Sequence, residues 1–159
     1  MSQYTSFFIR HNDAFLPMVT YSRSHKVAEA FNHIAPWEKI APLTAADIRG
    51  VRASLTSDVE AYAKAIARAR DEIEFLRTTN MAPDDLLEQY RSNIEYINDL
   101  TEEKTACESA IIFTHFLGDI IDEAASEHKW GENPLGIDEN TYIYVGIEVG
   151  NPTLEDIER

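Results

Sequence analysis

His115, Asp119 and Asp122 come nearest, in type and spacing, to residues that could do chemistry. They stand at i, i+4 and i+7 of a helical pattern, which puts an imidazole and two carboxylates on one face. That is ligand chemistry for a transition metal ion, and it raises the expectation of a metal-dependent enzyme. Three ligands from one helix leave such an ion short of donors, however, and no fourth donor stands at metal spacing. His11, His25, His33 and His128 are scattered. The plainer reading is a polar stripe on a mostly buried helix, with His115 hydrogen-bonded to Asp119. Cys107 is the one cysteine; it lies in a helical pattern without an activating neighbour and reads as a small buried apolar residue. Ser22-Arg23-Ser24 lacks the glycines of a phosphate loop, and neither a nucleophile elbow nor a Cys/His arrangement is present. The expectation is a non-enzymatic protein with no catalytic residue, no metal and no cofactor.

Asp71-x-x-Glu74 and Asp119-x-x-Asp122 loosely resemble the paired carboxylates of all-helical nucleotide pyrophosphohydrolases, which would imply Mg²⁺ held between helices. The residue types depart from that family's E-x-x-E followed by E-x-x-D. In an antiparallel hairpin residue 71 should face about residue 91, so the two pairs also lie far apart.

Charge says more than any motif. Residues 1–70 hold nine Lys/Arg and six Asp/Glu, whereas residues 71–159 hold five and twenty-two. The net charge of −14 therefore belongs to the second half. Such a surface repels phosphates and anionic membranes, so nucleic acid and membrane are disfavoured as direct ligands and a basic protein is the natural electrostatic partner. Residues 68–103 alone hold ten acids and four bases, interleaved with Phe75, Met81, Leu86, Leu87, Tyr90 and Tyr96. Apolar residues rimmed by charge mark contact surfaces. Asp71, Glu72, Glu74, Phe75, Asp84, Asp85, Glu88, Glu95 and Tyr96 are accordingly the expected partner-binding residues. By format alone (small, acidic, one domain, no catalytic motif) the chain resembles the nucleic-acid-mimicking inhibitors of phages and mobile elements, such as anti-restriction or anti-CRISPR proteins. That resemblance implies inhibition of a nucleic-acid-binding protein. The alternative expectation is a structural homo-oligomer, a homodimer assembled through the hairpin.

The elements that must position these residues follow from periodicity. Tyr4 to Tyr21 reads as a β-hairpin around His11-Asn12-Asp13, with Pro17 placing the second strand at an edge. Ser22 or Ser24 is the expected cap of a short helix, Lys26 to His33. Pro36 and Pro42 bracket a connector. Thr44, with Asp47 at the reciprocal position of a capping box, opens a long helix. Its apolar positions run Ile48, Val51, Leu55, Val59, Tyr62, Ile66, Ala69, Ile73 and Leu76, at spacings of three and four. Pro83-Asp84-Asp85 starts the next helix, which carries Leu86, Tyr90, Ile94, Ile97, Leu100, Cys107, Ile111, Leu117, Ile121 and Ala124; the stripe falters at Thr101 to Lys104, which leaves open a kink or a break there, with Asp99 or Thr101 as the cap of a new helix. The two helices should form an antiparallel, coiled-coil-like hairpin in which facing positions put Arg77 near Asp85, Arg68 near Glu95 and Lys64 near Asp99.

Residues 109–121 are apolar nearly all round and should be buried on several sides, under the sheet. Ser126 to Asn140 reads as a loop, Thr141 to Val149 as a half-buried strand and Gly150 to Arg159 as a loose acidic tail. The fold expected is α+β: a sheet of about three strands, a short helix and a long helical hairpin projecting from them. One domain covers 1–159, divided as 1–43, 44–125 and 126–159. With no secretory signal and no apolar run long enough to span a bilayer, a soluble cytoplasmic protein is expected.

Overall fold

The computed structural model describes residues 3–125 and 142–158. The loop expected over 126–140 therefore lies outside the described residues, as does His128. The elements are β1 (Tyr4–His11), β2 (Ala14–Ser22), α1 (Lys26–Phe31), β3 (Ala41–Pro42), α2 (Ala45–Leu76), α3 (Pro83–Ala125), β4 (Tyr142–Ile147) and a 3-10 turn (Leu154–Asp156). The fold is α+β, with an antiparallel sheet in the order β2-β1-β4-β3 and a hairpin of the two long helices. No described helix is long and apolar enough to cross a membrane. The chain divides into two compact units: residues up to Ser54 with those from Ala110 onward, and Leu55–Ser109.

In the first unit, Asn12 supplies the left-handed residue (φ 56°) of the two-residue turn between β1 and β2. Pro17 sits opposite Phe8 where the register shifts, on the edge strand that its missing N–H predicts. The sheet has four strands rather than three, because Ala41 and Pro42 of the proline-bracketed connector pair with Val145 and Tyr144. The cap of α1 is His25, not Ser22 or Ser24: its Nδ1 accepts from the Val27 N–H at 3.2 Å. Its ring also leans on Tyr21, with centroids 4.4 Å apart, a second hold that no serine provides. The helix ends at Phe31, two residues short of His33.

Phe7 is the centre of the face that α1 and the end of α3 cover. It meets Tyr21, Phe31 and Phe113 edge-on. Burial among these rings pushes the Tyr21 phenol above its ordinary value of 10.0. The folded form thus keeps its proton where the unfolded chain loses it. Stability should be unaffected below pH 10 and fall as pH rises from there through the folded value. Phenolate absorbance should show Tyr21 ionising late, and Tyr21→Phe should flatten that alkaline slope.

The opposite face of the sheet is buried too, so β4 is not the half-exposed strand expected. Phe8, Ile40, Tyr144 and Val149 form a second small core, with Phe15 and Ile157 against it. Val149 belongs here and not with Ile143, Val145 and Ile147, because Glu148 adopts a left-handed backbone (φ 58°) and breaks the alternation. Two bonds to Tyr4 hold Glu148 there: Tyr4 N–H donates to its Oε1 at 3.1 Å, and its own N–H donates to the Tyr4 carbonyl at 3.0 Å. The tail is not loose. Thr153 and Asp156 form a capping box, and Ile40 N–H donates to the Asp156 carbonyl while Glu158 N–H donates to the Ile40 carbonyl, at 2.9 and 2.8 Å. Burying Ile157 against the small core is what fixes it.

The helices begin as the sequence suggests. Thr44 N–H donates to Asp47 Oδ2 and Asp47 N–H to Thr44 Oγ1, both at 3.0 Å. Helix α3 runs unbroken past residues 99–104, where the sequence leaves a kink or a break open; Thr101 caps nothing and its hydroxyl donates back to the Ile97 carbonyl at 2.7 Å. Residues 109–121 are not buried all round: Ala110, Thr114, Leu117 and Ile120 are, but Ile112 is 70% exposed and Phe116 half exposed. Arg52 forks onto Thr114, its Nε to Oγ1 and its Nη2 to the carbonyl, both at 3.1 Å. By the expected register Arg52 would face Ala110; it faces Thr114, one helical turn further on.

In the second unit, Ile66, Ala69 and Leu76 are buried and Val59, Tyr62 and Ile73 half buried, so the stripe on α2 is the one that periodicity marks. On α3 the stripe runs Leu86, Tyr90, Asn93, Ile97, Leu100, Lys104 and Cys107, a strict alternation of four and three. Ile94, placed on the stripe by its hydrophobicity, stands one residue off it and is 51% exposed. The expected cross-helix ion pairs do not form among the described residues. Arg77 pairs with Glu74 of its own helix at 3.2 Å, and Lys104 with Glu108 at 3.0 Å.

Candidate functional site

The nine residues marked as partner-binding all lie in the second unit, and all are exposed. Asp71, Glu72, Glu74 and Phe75 occupy the last turns of α2. Asp84, Asp85 and Glu88 occupy the first turns of α3, where Asp84 and Asp85 also complement the partial positive charge of the helix start. Glu95 and Tyr96 follow two turns later. Of the seven carboxylates, Glu74 is paired; the other six have no cationic partner among the described residues. Exposed and without cationic partners, they can attract cations and repel phosphates.

The hairpin brings Glu72 and Tyr96 together from opposite helices. They line a groove of about 250 Å³ with Ala65, Arg68, Ala69 and Asn93. Phe75 is 64% exposed and Tyr96 51%, so neither packs into the seam. Ile94, half exposed on the same unit, is assigned inward by its hydrophobicity; Leu87, also half exposed, stands among the charge-rimmed apolar residues but not among the nine. The expected register places Arg68, the exposed cation at that groove, opposite Glu95.

His115, Asp119 and Asp122 are exposed, and no three His, Cys, Asp or Glu side chains among the described residues come close enough to hold a metal ion. Asp122 shares a small cleft with Arg49 and Arg52. Cys107 is fully buried and free of disulfide. Two further depressions lie in the first unit. One is apolar, about 390 Å³, lined by Ile9, Met18, Val19, Tyr21, Phe113, Phe116 and Ile120. The other, about 410 Å³, is bordered by Ser22, Arg23, Ser24 and Asn32 above Thr5 and Ala28.

No family model, no curated protein and no solved structure matches the chain.

Proposed function

We propose that this is a non-enzymatic interaction protein whose acidic hairpin docks on a basic protein surface. The observation that carries this reading is the set of six unpaired, exposed carboxylates on residues 71–95, interleaved with the exposed rings of Phe75 and Tyr96. Carboxylates supply the steering, and aromatic side chains supply the buried anchor area on contact. Where the partner surface normally holds DNA or RNA, the carboxylates would compete with phosphates and the protein would act as an inhibitor by mimicry. A basic partner is the expected ligand; nucleic acid itself is not.

Charge reversal tests this. With Asp84, Asp85 and Glu88 all changed to Lys, basic proteins captured from lysate at about 50 mM salt should be lost, as they should be lost from the natural chain at about 500 mM. Circular dichroism should be nearly unchanged, since removing the acids from the start of α3 costs only about 0.3–1 kcal/mol each. Capture that survives both the reversal and the salt would remove the hairpin as docking face. Mimicry predicts in addition that the captured protein releases its nucleic acid when this chain is added.

The half-exposed Phe75, Leu87, Ile94 and Tyr96 favour a second reading, a homo-oligomer assembled through the hairpin.

A further inference from the structure

We propose that α2 carries a self-pairing face, and that its occupant is α2 of a second copy of this chain across a two-fold axis. The inference rests on the self-assembly reading and is independent of a basic partner. Ala61, Ala65, Arg68, Glu72 and Phe75 follow at spacings of four, three, four and three, so they share one face of α2, flanking the Ile66, Ala69 and Leu76 seam. Midway along that face lies the groove floored by Ala65 and Ala69 and edged by Tyr96; at its end stands the exposed ring of Phe75.

Laid antiparallel on itself, this face is complementary. Setting Arg68 opposite Glu72 of the second copy also sets Glu72 opposite Arg68, and Phe75 opposite Ala65, each contact occurring twice. The largest side chain thus meets the smallest, at the groove. Neither Arg68 nor Glu72 has an ion-pair partner among the described residues, so both are available. A basic partner would meet Arg68 in the middle of this face, whereas a second copy neutralises it. Asp84, Asp85 and Glu88 belong to α3 and are not used.

Sedimentation equilibrium of the full chain should give twice the 18.1 kDa chain mass. Raising salt from about 150 to about 500 mM should not dissociate it, because screening also relieves the repulsion between two chains of net charge −14. Phe75→Glu should weaken the dimer by about a hundredfold or more, since the change acts twice. Arg68→Glu should weaken it by about tenfold or more, and adding Glu72→Arg should restore it to within about threefold, because the swapped charges again oppose one another. All three residues are exposed, so circular dichroism should stay constant. A natural chain that remains monomeric removes both the self-assembly reading and this face. A dimer indifferent to Phe75→Glu, or a charge swap that fails to restore what Arg68→Glu weakens, removes this face alone.

Discussion

Phe7→Ala should cost about 3–5 kcal/mol, a large fraction of the stability of a domain this size. The ring is fully buried and makes three edge-on contacts, at centroid distances of 5.0 Å to Phe113, 5.2 Å to Phe31 and 6.2 Å to Tyr21. Those partners come from α3, α1 and β2, and Phe7 itself from β1, so one side chain ties four elements of the first unit. Removing it forfeits the transfer energy of the ring and leaves a cavity whose walls are strand and helix backbones that cannot collapse freely. Phe75→Ala is the contrast: the same side chain is deleted from an exposed helical position, and in dilute monomer the change should fall within about 0.5 kcal/mol. Urea unfolding followed by circular dichroism measures both. Equal costs would mean that Phe7 is not the junction its ring contacts make it.

What could be read from the chain alone was local or periodic. The Thr44–Asp47 box, the turn at Asn12-Asp13, the edge strand marked by Pro17 and the stripe on α2 are each specified by residues within a few positions of one another. The misread features depend on distant partners. A two-residue strand such as Ala41–Pro42 has no pattern of its own and exists only because β4 receives it. Glu148 looks like one more outward position in an alternating run, yet its two bonds to Tyr4 turn the chain and send Val149 to the other core. The tail was legible in part, since Thr153-x-x-Asp156 is a capping box by sequence. Its acidity carries no trace of the anchor, Ile157, whose partners in the small core are distant in sequence.

Along the hairpin, hydrophobicity outweighed spacing. Ile94 is apolar and Asn93 is not, but the alternation of four and three requires the position of Asn93, and Ile94 is left half exposed. The same preference for composition over phase made residues 109–121 read as buried all round, although Ile112 and Phe116 face out. For the candidate site the sequence foretold exposure only. All nine nominated residues are exposed, because charged residues off a well-phased stripe have nowhere else to go, and Phe75 and Tyr96 stand off the stripes as well. The face on α2 was not legible, since it needs the groove beside Ala65 and Ala69 that only the folded hairpin creates.

Gly146→Ala should be the most damaging single-methyl change in the described chain, at about 1–3 kcal/mol for the overlap alone. The backbone of Gly146 is not left-handed, so conformational freedom is not the issue; space is. A Cβ there would run into the Lys39 carbonyl oxygen and lie 3.0 Å from Ile40 Cγ2. The first obstacle is backbone, which cannot rotate aside as a side chain can. The connector is also pinned at both ends of the collision. Glu38 N–H donates to the Ile147 carbonyl at 2.8 Å and Ile147 N–H to the Pro36 carbonyl at 2.9 Å, while Ile40 exchanges bonds with Asp156 and Glu158. Lifting it off β4 breaks some of these, at about 1 kcal/mol each, and opens the small core around Ile40. Gly50 is the control within the same chain. A Cβ at that helical position meets nothing within 4 Å, so Gly50→Ala should stabilise by about 0.5–1 kcal/mol. Opposite signs for the two glycines in thermal unfolding are the expected result. A neutral Gly146→Ala would show that the connector rides loosely over β4, and the second core would then lose Ile40 as its fixed centre.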